Sequence, residues 1–336
     1  VGQPDVIQLP LTYYDKNYDL HYLGAEDMSV SDDGLTWTIN LREGLLWSDG
    51  EALTASDYVF ALTRAVQQGY DFGWYWGWAA GIKNWGAVES GDVPLSEFGV
   101  KAIDDTTIQV EIDSPKPYFP GIVSVWFPVP EHAVEEHGDE YATRAETMVS
   151  SGPFMLTEWV RGNRMVLERN PNYNGPWQPT LDRVILYPTL NSAEVGFPAY
   201  LAGELDTTTL NAGQLALAQR QYEDQTQTNA AFVVFYLSYD YETPPFNDPD
   251  VRRALLYSIN REEVTSTLLK DLAVPAETLL APGFPGYNQD IADQVVFDPE
   301  RAQDYLAEAG YPGGEGFPTV TFYWREEGGA TQVVKP

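Results

Sequence analysis

Apolar and polar positions along the chain switch between two periods, and the switches mark out the elements. Residues 232–239, Phe-Val-Val-Phe-Tyr-Leu-Ser-Tyr, form a continuous apolar and β-branched run. It is short for a helix and lacks the alternation of a half-exposed strand, so the pattern predicts a strand buried on both faces. Pro244 and Pro245 forbid continuation of its ladder. Asp248 is placed to cap a helix with Pro249 at its first position, and Val251, Ala254, Leu255, Ser258 and Ile259 recur at the spacing of a buried helical face. Asn260 and Glu263 have the form of a capping box that restarts a helix, carrying Val264, Leu268 and Leu269 inward.

The first third reads as β-rich. After the Asp33-Gly34 turn, Leu35, Trp37, Ile39 and Leu41 alternate with polar residues. Thr54, with Asp57 three residues on, opens a helix whose inner stripe is Tyr58, Ala61, Leu62, Ala65 and Val66, and Gly69 stops it. Residues 99–112 read as a hairpin with Ile108, Val110 and Ile112 on its second strand. Glu131 to Gly138 reads as a short helix after Pro130, Val184 to Tyr187 as a strand and Glu194 to Ala202 as a helix. Residues 279–287 read as loop. Asp298-Pro299 starts another helix, with Ala302, Tyr305, Leu306 and Ala309 inward and Gly310 at its end, and residues 319–324 read as a strand. Strands and helices in alternation suit mixed α/β layers.

Composition narrows the function classes. At 336 residues the chain is long for one core, so two or more domains are expected. Fifty acidic against nineteen basic residues give a net charge of −31, which repels phosphate backbones and anionic lipids, so no nucleic-acid partner is expected. With no cysteine there is no disulfide framework, thiolate metal site or cysteine nucleophile. His132 and His137 lie five apart, poor spacing for shared ligation on a helix, and His21 stands alone, so no metal and no cofactor is expected. There is no Gly-x-Ser-x-Gly elbow and no phosphate-binding glycine loop, and no carboxylate pair stands out, so no catalytic residue is assigned. No apolar run is long enough to span a bilayer as a helix.

Particular words in the chain point further. Ser31-Asp32-Asp33-Gly34-Leu35-Thr36-Trp37, Trp47-Ser48-Asp49-Gly50, Leu53-Thr54-Ala55, Ser151-Gly152-Pro153-Phe154, Val166-Leu167-Glu168-Arg169-Asn170-Pro171, and Pro244-Pro245-Phe246-Asn247-Asp248 followed by Val251-Arg252-Arg253-Ala254-Leu255 resemble the extracytoplasmic solute-binding proteins of the peptide and nickel class, family 5, receptors of ABC importers. The resemblance spans nearly the whole chain. It implies a type II periplasmic-binding-protein-like α/β fold, two lobes plus an inserted α+β domain. The implied division is residues 1–10 part of lobe I, 11–149 the inserted domain, 150–243 lobe I and 244–336 the start of lobe II. It also implies that family members extend beyond both ends of these residues, leaving the second lobe truncated and the residue for a peptide's terminal amine outside the chain. An extracytoplasmic, periplasmic or lipoprotein, location with a signal segment outside the chain, a membrane permease as partner and a monomer are expected.

Candidate ligand contacts follow from two places. Trp74, Tyr75, Trp76 and Trp78, with Trp85 beyond, put four of the ten tryptophans within twelve residues. On a strand Trp74, Trp76 and Trp78 would share a face, and the interleaved glycines would allow close approach, either of a ligand or of the packing of the inserted domain. Tyr236, Ser238 and Tyr239 end the 232–239 run at the edge where open α/β sheets place ligands, or they only terminate a core strand. Oligopeptide is the first ligand reading, oligosaccharide held by ring stacking the second and nickel the third. A secreted glycoside hydrolase or a carbohydrate-binding module is the alternative from another class.

Overall fold

The computed structural model describes residues 4–70, 72–228, 233–270, 272–282 and 286–321. Two compact units divide the chain, Val1–Asn191 and Ser192–Pro336.

The first unit carries three antiparallel sheets. β1 (Thr12–Tyr14) pairs with β2 (Leu20–Tyr22). β3 (Ala25–Val30), β4 (Thr36–Leu41), β5 (Val100–Asp104) and β6 (Thr107–Glu111) form a sheet of order β3-β4-β6-β5. β7 (Phe154–Val160), β8 (Arg164–Arg169) and β9 (Arg183–Leu186) follow in order. The alternation in β4 does what its period requires: Trp37, Ile39 and Leu41 are buried. Trp37 faces Val110 and Ile39 faces Ile108 across the ladder to β6.

Against this sheet lies the Ala55–Gln68 helix. Its start is closed by the Thr54 backbone N–H donating to Asp57 Oδ2 at 2.8 Å. Its end is closed by Gly69 in the left-handed region at φ 61°, where a Cβ would cost about 1 kcal/mol or more. Of the predicted stripe Tyr58, Leu62, Ala65 and Val66 are buried and Ala61 is half-buried, and Tyr58 donates its hydroxyl to Leu9 O at 2.7 Å.

The first unit has two cores. The larger runs from Leu9 to Trp126 and takes in Tyr173. The smaller lies on β7 and β8, where Phe154, Leu156 and Leu167 meet Val6, Ile7, Trp159 and Val184. One passage between them is at residues 7–9 and 151–152. Ser151 Oγ accepts from Leu9 N at 2.9 Å, and Ser151 N and Gly152 N both donate to Ile7 O at 3.1 Å. A Cβ on Gly152 would lie 2.6 Å from Gln8 N, so glycine is what lets these backbones approach.

The second unit is helical among its described residues. Pro249–Ser258 begins at Asp248, whose side chain accepts from Asp250 N at 2.8 Å, and Pro299–Glu308 begins at Asp298, which accepts from Arg301 N at 3.0 Å. The two helices pack through stacked Tyr257 and Tyr305 rings 5.9 Å apart, with the Arg301 guanidinium 4.2 Å above Tyr257. Val251 and Ala254 are buried as the spacing predicts, but Tyr257 is the third buried residue in place of Ser258, because the face turns toward the neighbouring helix. Asn260 accepts from Glu263 N at 3.1 Å and restarts the chain into Arg261–Glu263 and the π-turn Val264–Leu268. Ala193–Leu201 is the predicted helix. Ala212–Gln221 is a helix the periodicity did not show, although Asn211 and Gln214 form its capping box.

Two predicted strands are not found. Phe232 lies outside the described residues, and Val233 to Tyr239 form no strand: Val233, Phe235 and Tyr236 are 60%, 75% and 70% exposed. A central strand is held by ladders from segments distant in the chain, and no described segment pairs with this one. Residues 319–321 likewise form no strand, and 322–324 lie outside the described residues.

Candidate functional site

The aromatic segment is helical, which corrects the shared strand face expected for Trp74, Trp76 and Trp78. Tyr75–Ala79 is a single π-helical turn, closed by Ala80 N donating to Tyr75 O at 2.8 Å. A turn points successive side chains around an axis rather than to alternate faces. Trp76 is therefore buried, while Trp74 and Trp78 are 57% and 77% exposed. The glycines admit a neighbour from the protein itself: a Cβ on Gly77 would lie 3.0 Å from Trp85 Cδ1, and one on Gly73 3.2 Å from Trp85 Nε1. Trp85 is buried there, at 5.8 Å from Phe98.

The exposed rings are continuous with the core. Phe72 stacks on Tyr75 at 4.9 Å, Trp74 meets both edge-on, Tyr75 meets Trp76 edge-on at 5.2 Å and Trp76 meets Trp126 at 5.8 Å. Trp126 donates its indole N–H to Tyr58 O at 2.8 Å. Tyr75 donates its hydroxyl to Ile122 O at 3.0 Å, and burial, helped by nearby Tyr14, raises its pKa. This chain of contacts ties Phe72 and Trp74 to the core, and Trp78 lies exposed four residues beyond Trp74. Phe72 and Trp126 were not singled out by the sequence pattern, since Phe72 adjoins the tryptophan run and Trp126 is far from it.

In the second unit Tyr236 and Ser238 are exposed, while Tyr239 is half-buried against Phe246 at 5.2 Å. Burial raises the Tyr239 pKa, with Arg261 opposing. Beside it Asp240 accepts from the Thr243 hydroxyl at 2.6 Å and from Glu242 N at 3.2 Å, which together lower its pKa.

One buried carboxylate was also missed as a feature of interest. Asp57 caps the Ala55–Gln68 helix and accepts from Glu131 N at 3.4 Å, tying that cap to the Glu131–His137 helix. Burial raises its pKa, and the Thr54 N–H partly offsets this. On the second helix His132 pairs with Asp49 at 2.8 Å, in the Trp47-Ser48-Asp49-Gly50 turn. Among the described residues no three His, Asp or Glu side chains converge to hold a metal ion.

Comparison with known proteins gives this geometry a family. Residues 19–334 match the family described as bacterial extracellular solute-binding proteins, family 5 Middle. The chain is 33% identical over 308 residues to the probable deoxycholate-binding periplasmic protein YgiS of Escherichia coli (strain K12), covering 89% of this chain and 57% of that protein. It is 30% identical over 307 residues to the periplasmic oligopeptide-binding protein OppA of the same organism, covering 86% and 54%. Among solved structures, the periplasmic oligopeptide-binding protein OppAIV of Borrelia burgdorferi superposes with a TM-score of 0.71 at 28% identity, covering 94% of this chain and 63% of that one. OppA of Burkholderia pseudomallei superposes with a TM-score of 0.73 at 27% identity, covering 91% and 62%. The chain thus spans just over half the length of these curated relatives. The fold is the mixed α/β type II binding-protein fold of these structures, and the relatives are named as binding proteins rather than enzymes. Among the described residues no helix is long and apolar enough to cross a membrane. On the match along residues 19–334 and these relatives, the chain belongs to the bacterial extracellular solute-binding proteins, family 5.

Proposed function

We propose that this protein is the substrate receptor of an ABC importer, that it captures oligopeptides outside the cytoplasm and that it delivers them to a membrane permease. The family match over residues 19–334 is the observation that carries the reading. Peptide would bind in a cleft between lobes, largely through its main chain, and the closed form would be selected by contacts made only on closure. Within the first unit the exposed Phe72, Trp74 and Trp78 are the candidate ligand contacts, with Tyr75 packed on Phe72 and Trp74 and with Trp76 and Trp85 buried. Tyr236, Ser238 and Tyr239 form a second group of ligand contacts. The receptor acts as a monomer.

The domain boundaries belong to the same proposal: residues 1–10 and 150–243 in lobe I, 11–149 inserted, 244–336 opening lobe II. Support comes from the crossing of residues 7–9 with 151–152, which sets the two ends of the insertion side by side.

Isothermal calorimetry of the protein with tri- to pentapeptides tests the function. Saturable binding supports it, and turnover of the peptides would refute it. A rigid apolar ligand such as deoxycholate is a second reading, favoured by the name of one relative and by the flat exposed rings. Ring stacking on an oligosaccharide is a third. Titration with deoxycholate and with β-linked oligosaccharides in the same cell ranks the three.

A further inference from the structure

We infer that the surface built by residues 72–89 holds a cationic side chain, lysine or arginine, of the bound peptide, with Glu89 as its counter-charge. This deepens the receptor reading and rests on it. Three rings are exposed: Phe72, Trp74 and Trp78 at 49%, 57% and 77%, with one face of Phe72 stacked on Tyr75. The face of an aromatic ring carries negative potential and attracts ammonium and guanidinium groups. The protein's own cations do not occupy these rings, since the arginine–ring contacts of the described residues lie at Trp159, Tyr257 and Tyr305.

A carboxylate stands beside Gly73, between Phe72 and Trp74, without a cation among the described residues. Glu89 is exposed and makes no ion pair among the described residues. Its Oε1 lies 3.2 Å from the point a Cβ on Gly73 would occupy, between Phe72 and Trp74 in the chain. Trp85 Nε1, buried and without a hydrogen-bond partner, lies 3.2 Å from the same point. Residues 72–98 contain the acids Glu89, Asp92 and Glu97 and one basic residue, Lys83, whose ammonium is bound to Glu111. The local field therefore has the sign of the whole chain at −31. A lysine or arginine gains both the rings and the carboxylate here. A neutral side chain gains only the rings, and an acidic one meets Glu89.

The test is calorimetry of the protein with Lys-Ala-Lys, Ala-Ala-Ala and Glu-Ala-Glu, repeated with the surface variants Glu89→Gln and Trp78→Ala at low and high sodium chloride. Lys-Ala-Lys is expected to bind tightest. Glu89→Gln should weaken it roughly threefold while leaving Ala-Ala-Ala within error, and Trp78→Ala should weaken Lys-Ala-Lys by more than it weakens Ala-Ala-Ala, as exposed cation–ring and ion-pair energies imply. Salt should narrow the gap between the lysine and alanine peptides. Equal affinity for the three peptides, or a lysine preference untouched by both variants, overturns the assignment. Failure of all three peptides to bind overturns the receptor reading itself.

Discussion

Trp76 and Trp78 are two positions apart in a run of alternating aromatics, yet one is 6% exposed and the other 77%. Trp76→Ala removes a ring packed on Tyr75 and Trp126 and is expected to cost about 3–5 kcal/mol of stability in urea unfolding. Trp78→Ala should stay within about 0.5 kcal/mol of the parent, so its effects on binding can be read directly. Asp57 makes a pH prediction. Burial raises its carboxyl above the ordinary 3.8, so the folded protein keeps this proton to higher pH than the unfolded chain. Its contribution to stability is fully present below 3.8 and is lost as pH rises through the raised folded value. Asp57→Asn keeps an acceptor for the Thr54 N–H but does not titrate. The stability of the parent relative to this variant should therefore fall as pH rises above 3.8 in paired denaturation curves, and a rising difference would contradict the assignment.

At the scale of elements, local chemistry predicted best where both ends of an element are written in adjacent residues. The Ala55–Gln68 helix has its box at Thr54 and Asp57, its stripe and its glycine stop in one stretch, and the structure reproduces all three. Gly69→Ala tests the stop alone, because nothing lies within 4 Å of the added Cβ. It should cost about 1–2 kcal/mol through the left-handed backbone and leave ligand affinity unchanged. The hairpin of β5 and β6 was legible for the same reason, as alternation flanking a turn. The 232–239 run was not, because a strand has no internal hydrogen bonds: its residues supply β-propensity, but its ladder must come from elsewhere in the chain. The aromatic run misled for a related reason. Period two over residues 72–78 is the pattern of a strand, while the glycines and Ala79-Ala80 let the chain close a π-turn around Trp85.

At the scale of the whole molecule, the net charge of −31 sets a general electrostatic strain on the folded state. Salt shortens the range of that repulsion to about 10 Å at 0.1 M and about 3 Å at 1 M. The melting temperature should accordingly rise from 0.05 to 1 M sodium chloride, and a flat or falling profile would show that attractive pairs dominate instead. Of the candidate segment at 72–85, the sequence showed the aromatic run but not which of its rings are buried. Trp126, which joins that segment to Tyr58, carries no local signature. By itself the sequence determined the mixed α/β class, the caps and stripes of its main helices and, through the words from Ser31 to Leu255, the family. These are encoded in neighbouring residues, whose backbone preferences and hydrogen bonds act over a few positions. Only the tertiary structure decided which tryptophans are core and which are surface, and which predicted strands find partners. Burial and strand pairing depend on groups far away in the chain, brought near only when it folds.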